Sequence, residues 1–261
     1  MVSSISPPNK PQINLEMIAQ ILGSSAVYFN QDLSPQRLEN VNRILLKTQE
    51  KFLECTKQKG QIPPKMVRSL INEGSFADDK VAIDYFAGIL ASSRNKIGRD
   101  DRGISMAKLV DNLSCYQLRS HFLIYSTIRS KFKDKRYHFE FDDCERMEIF
   151  LPTFFYAKAM KMNKDEFNQV NNLAMHSIQG LANHNLIDKN FYFGYPEHHH
   201  QYFKGFDFEG IICQPTKFGV QLFLWAFGAG NENIEFLFHE KFKPKIKGLP
   251  GKIPHVLYTQ P

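Results

Sequence analysis

The stretch IPPKMVRSLINEGSFADDKVAIDYFAGILASSR at 62–94, continued by MAKLVDNLSCYQLRSHFLIYSTIRSKF at 106–132, decides the fold class. Pro63-Pro64 opens a helix whose apolar positions are Met66, Val67, Leu70 and Ile71, and Gly74-Ser75 ends it. Asp78 and Asp79 then place negative charge in the first turn of a longer helix, where it suits the macrodipole. That helix runs to about Arg94, with Val81, Ile83, Phe86, Ala87, Leu90 and Ala91 along its apolar face. A polar loop at 95–103 leads to a short helix over Ser105–Val110. Ser114 caps a further helix to about Lys131, lined by Leu118, Phe122, Tyr125 and Ile128.

Upstream, residues 1–12 are rich in Ser and Pro, and residues 13–29 suit a short helix broken near Gly23. Ser34-Pro35 begins a clear helix with a seam at Leu38, Val41, Leu45, Thr48, Phe52 and Cys55, ended by Lys57, Lys59 and Gly60. Three heptads containing a Thr favour packing within the domain over a dimeric coiled coil. Downstream, the alternation at Tyr137–Phe141 predicts a strand, and a helix is expected over 145–161 with Pro152 near its start or at a kink. Asn163 caps a turn with Asp165 and Glu166, and a long helix follows through Val170, Leu173, Ile178 and Leu181. An extended segment begins at 190–193, FDFEGIIC at 206–213 reads as a strand, and Pro215-Thr216 opens an apolar helix through Trp225.

Helix, strand, long loop, strand and helix is the outline of a winged-helix-like unit. The expected fold is therefore mainly α: an N-terminal helical bundle followed by an α+β winged-helix-like C-terminal unit. The segments are a flexible N-terminus at 1–12, the bundle at 13–161, the winged-helix-like unit at 162–239 and a basic irregular tail at 240–261.

The chain has 261 residues, 43% of them hydrophobic, with 23 Phe, 10 Tyr and 1 Trp, enough for a substantial Phe-rich core. Its formal net charge of +6 suits an acidic or nucleic-acid partner without requiring one. Cys55, Cys115, Cys144 and Cys213 are isolated, which argues against a disulfide framework or a zinc ribbon and for free thiols in a reducing compartment. The N-terminal MVSSISPPNKPQ has neither the charged nor the apolar region of a secretory signal, and no run approaches 18 apolar residues. A cytoplasmic protein that does not engage membranes is expected.

The blocks IPPK at 62–65, SFADDKVAIDYFAGILASS at 75–93 and LVDNLSCYQLRSHFLI at 109–124 resemble the Abi-alpha (abortive infection alpha) family and related bacterial helical families. QGLANHNLI at 179–187 and PTKFGVQLF at 215–223 look similar as well. The chain departs from that pattern at Tyr85-Phe86, where the family type has a tryptophan, and in the loop at 194–206. The resemblance implies a helical protein with a role in anti-phage defence, and it carries over no catalytic residue.

No phosphate-binding glycine loop and no nucleophile elbow is present, so no cofactor is expected and catalysis is disfavoured. His198-His199-His200 is the most conspicuous polar run. Adjacent side chains of an extended segment point to alternate sides, so a metal site there would pair His198 with His200, completed by Glu197, His184 or His176. A solvated loop is the plainer account. His176 and His184 are too far apart along a helix to share an ion, and suit capping or core-edge roles. Asp207, Glu209 and Lys217 invite a metal-dependent nuclease, but Lys217 lies in a helix beyond Pro215. Asp78 and Asp79 are explained by capping.

The tail is the strongest nucleic-acid candidate. Lys241, Lys243, Lys245 and Lys247 recur at every second residue, Lys252 follows, and Phe242 and Ile246 interleave as stacking groups. Lys189, Lys204 and Lys217 add charge on the winged-helix-like unit. Lysines that shield an edge strand are the plainer alternative. Binding of a protein partner or a nucleic acid is thus expected over catalysis, with self-association through the bundle as a further expectation.

Overall fold

A computed structural model describes residues 15–29, 33–55, 60–94, 96, 100–135, 137, 139, 141–195, 203 and 208–259. The first helices are α1 (Leu15–Leu22), α2 (Pro35–Cys55), α3 (Pro64–Asn72), α4 (Lys80–Ser92), α5 (Gly103–Asn112) and α6 (Cys115–Phe132). They are followed by α7 (Phe141–Arg146), α8 (Thr153–Met160), α9 (Lys164–Phe167), α10 (Val170–Asn183) and α11 (Lys217–Ala226). Strands β1 (Ile149–Pro152), β2 (Tyr192–Gly194), β3 (Gly210–Cys213) and β4 (Leu257–Tyr258) form one antiparallel sheet in the order β2-β3-β1-β4. The molecule is mainly helical with this small sheet at one side. No helix among the described residues is long and apolar enough to cross a membrane.

Local chemistry explains the helix starts. Asp79 accepts from Val81 N at 2.8 Å and caps α4. Ser114 and Gln117 form a reciprocal capping box on α6, and Asn163 and Glu166 form one on α9. Thr216 Oγ1 accepts from Gly219 N at 3.0 Å at the head of α11.

Helix α4 is the axis of the fold. It is buried on every side, not along one face, with Tyr85, Ala87, Ile89 and Leu90 all inaccessible. It packs against α2, α5, α6 and α11. Gly88 sits where α4 meets α11, and a Cβ there would lie 1.8 Å from Ala226 O. Only glycine permits this backbone approach.

Two sequence expectations between α6 and α8 are corrected. Tyr137 and Phe139 are buried outside any strand, and helix α7 starts at Phe141. The helix expected over 145–161 divides into strand β1 and helix α8 at Pro152. Pro152 closes β1 opposite Gly210, Thr153 N still donates to Glu209 O at 3.0 Å, and the Pro152 φ of −59° leads into α8. Alternate β1 and β3 residues serve opposite faces. Ile149, Leu151, Ile211 and Cys213 join the main core, whereas Phe150 and Ile212 meet Phe203 behind the sheet.

The main core runs without interruption from Ile18 to Val256, and the sheet draws strands from all three expected segments after residue 12. Of the tail, residues 240–259 are irregular over most of their length, yet Phe242, Ile246, Ile253 and Val256 are buried and β4 pairs with β1.

Candidate anion-binding cleft

The tail positions its lysines through the residues between them. Phe242 packs edge-on against Phe223 and Phe227, with ring centroids 5.9 and 6.3 Å away, and Ile246 is 1% exposed. With these two anchors inside, Lys241, Lys243, Lys245 and Lys247 all stand exposed. Phe242 and Ile246 are thus core residues, and the stacking role expected for them is corrected. None of the four lysines forms an ion pair with a described residue.

Helix α2 faces this tail. Arg43, Lys47 and Lys51 recur every four residues and so share one side of the helix. Lys47 Nζ lies 2.6 Å from Glu50 Oε2. Lys51 reaches inward to Asp84 of α4, Nζ to Oδ1 3.5 Å, and its ammonium lies 4.7 Å from the Phe227 ring centre. Burial raises the Asp84 pKa, against the lowering influence of Lys51 and Lys47.

Between tail and helix lies a cleft of about 820 Å³. Its lining carries six lysines, at 47, 51, 241, 243, 245 and 247, against only Glu50 and Asp84, with Phe227 and Phe242 also contributing. Two smaller hollows continue it. One, of about 270 Å³, is lined by Leu46 and Ile83 with Arg43, Lys47, Lys80 and Lys247 and the acids Glu50 and Asp84 around them. The other, of about 360 Å³, lies at the head of α4 and holds Lys80, Arg119, Lys161 and Lys247 beside Asp78 and Asp79. Arg119 is paired there with Asp79 at 2.6 Å. Lys247 lines all three spaces. Chemically, the cleft offers ammonium donors at several fixed points to a ligand with repeated negative charge.

The structure therefore brings together Lys241, Lys243, Lys245 and Lys247, and adds Arg43, Lys47 and Lys51, which the sequence reading passed over. Their four-residue spacing on the polar side of α2 was the available signal. Lys217 is elsewhere. It opens α11 and lines a separate hollow with Arg102 and Glu232, whereas Phe227 of the lysine cleft lies ten residues on, about 15 Å by helical rise. Lys204, His198, His200 and Asp207 lie outside the described residues. Glu209 accepts from Asn171 Nδ2 at 3.4 Å. His176 Nε2 is 3.1 Å from Ser114 Oγ at the α6 cap. Among the described residues, no group of three or more His, Cys, Asp or Glu side chains could hold a metal ion.

A second polar constellation is sealed in the core. His121 Nε2 is 3.1 Å from Gly219 O, a carbonyl that can only accept, so this nitrogen carries the proton. Nδ1 then accepts from Tyr85 OH at 2.7 Å. Burial pushes the His121 pKa down to about 3 and the Tyr85 pKa well up. Tyr125 OH donates to Leu186 O at 2.6 Å and accepts from Thr216 N at 3.1 Å, tying α6 to the head of α11. These groups fix the packing of α4, α6 and α11, and the clefts described above do not reach them.

No family model, curated protein or solved structure matches this chain.

Proposed function

We propose that the protein acts by binding nucleic acid, holding its phosphate backbone in the lysine cleft between α2 and the C-terminal tail. The observation that carries this reading is the convergence of six lysines on one concave surface with two acids. Both acids stand beside α2 lysines, and the four tail lysines are left without an ion-pair partner among the described residues. Like charges gathered at this density oppose folding, and a polyanion that displaces their counterions relieves the repulsion. Lysine is a point-charge donor, so the contacts follow the backbone and not base sequence. The segment 162–239, expected as a winged-helix-like unit, is the weaker candidate surface. Lys217 shares its hollow with Glu232, and β3 pairs with β1 as well as with β2. The resemblance of 62–128 to Abi-alpha proteins supplies the setting, a defence protein that engages a partner instead of catalysing a reaction.

The test is anisotropy of labelled oligonucleotides across a salt series. Affinity is expected to fall steeply with salt. Replacing Lys241, Lys243, Lys245 and Lys247 together with Gln is expected to flatten the log–log slope by about 3, given four phosphate contacts. Salt-insensitive binding, or a slope unchanged in the quadruple variant, overturns the proposal.

A further inference from the structure

Resting on that reading, we infer that the ligand is a single strand, and that the hollow lined by Leu46 and Ile83 receives one of its unpaired bases. Leu46 projects from α2 with 51% of its surface exposed, a large apolar side chain in a hollow lined by four basic and two acidic residues. Phosphate recognition gains nothing from it. The hollow of about 270 Å³ that it lines opens beside Lys47, Glu50, Asp84 and Lys247, which also line the main cleft. A ligand with its phosphates among the lysines can therefore present an adjoining group to Leu46. In a strand without a partner, that group is the flat face of a base. In a duplex the base faces are stacked inside and cannot reach it.

Two further observations point the same way. The main cleft, at about 820 Å³, has the concavity of a small-ligand site, suited to one threaded strand and not to the convex surface of a double helix. Successive tail lysines are two residues apart, so each step spans at most about 7 Å. That suits the repeat of an extended sugar–phosphate chain. The apolar seat supplies affinity that is independent of base identity and adds to the salt-dependent contacts.

The full-length protein is titrated with three probes of equal length at one salt concentration: oligo-dT, a base-free deoxyribose-phosphate strand, and a duplex. Oligo-dT is expected to bind about five- to tenfold more tightly than the base-free strand, the range for burying one such face on an aliphatic seat. Leu46→Gln, at a half-exposed position, keeps side-chain length and neutrality. It is expected to abolish this difference while leaving affinity for the base-free strand and the circular dichroism spectrum unchanged. Equal binding of oligo-dT and the base-free strand, or preference for the duplex, overturns the inference; the cleft assignment stands in that case if the quadruple lysine variant still weakens every probe. Absence of binding to all three probes overturns both.

Discussion

Lys51 Nζ and Asp84 Oδ1 stand 3.5 Å apart with side chains only 8% and 9% exposed, joining α2 to the central helix beneath the lysine cleft. A buried pair of this kind contributes little net stability, because desolvation of both ions offsets their attraction. Removing one ion leaves the other stranded. Lys51→Met is expected to cost about 3–5 kcal/mol in urea unfolding, and Lys51→Met with Asp84→Leu to regain most of that loss. The sign with pH follows from Asp84, whose pKa burial raises above its unfolded value. Without Lys51 it rises further, so the penalty is smallest in acid, where the carboxyl takes up its proton, and grows as the pH rises.

The central polar pair predicts acid sensitivity. His121 has a folded pKa of about 3 against an ordinary value of 6.5, so the unfolded chain binds a proton that the folded chain refuses. Stability from this group is fully present above pH 6.5 and is lost as pH falls toward 3. By pH 5 the loss is on the order of 2 kcal/mol. Comparing wild type with His121→Leu/Tyr85→Phe by chemical denaturation at pH 7 and pH 5 measures it. The wild type is expected to lose that much more than the variant.

At the α4–α11 crossing, Gly88→Ala is expected to destabilise by at least about 3 kcal/mol, since the new methyl meets the Ala226 backbone and no side-chain rotation can relieve it. Thermal melting checks this. A loss under 1 kcal/mol means that the two helices can separate without consequence.

Lys217 and the tail lysines should part company in binding. Lys217→Gln is expected to leave affinity and salt slope unchanged, whereas Lys245→Gln lowers both. Equal effects from the two substitutions place the binding surface elsewhere.

What the sequence disclosed depended on how local the causes were. The starts of α4, α6, α9 and α11 were legible because Asp79, Ser114, Asn163 and Thr216 bond to backbone within three residues. Strand β1 was hidden: IFLP followed by TFFYA is one apolar run, and periodicity cannot divide it. Its extended form depends on β3 and β4, which lie about 60 and 108 residues further on. At 137–141 the alternation did not make a strand of the described residues, and Tyr137 and Phe139 are buried in the core instead. In the cleft, the tail lysines stood out by composition. Their counterparts on α2 looked like ordinary solvated charge, because only tertiary packing sets Lys47 and Lys51 opposite them. Phe242 looked available for stacking until Phe223 and Phe227 enclosed it.

The pairing of β4 with β1, reinforced by Thr259 N donating to Glu148 O at 3.1 Å, gives the lysine-bearing segment an anchor at each end: Phe242 on one side and the sheet edge on the other. A loose cationic tail surrenders conformational freedom each time it captures a ligand. Here that surrender is made once, during folding, and the ammonium groups meet an incoming strand as the teeth of a fixed comb. Loosening Phe242 and Ile246 from the core, without touching any lysine, would turn the comb back into a loose string, slowing capture little and hastening release.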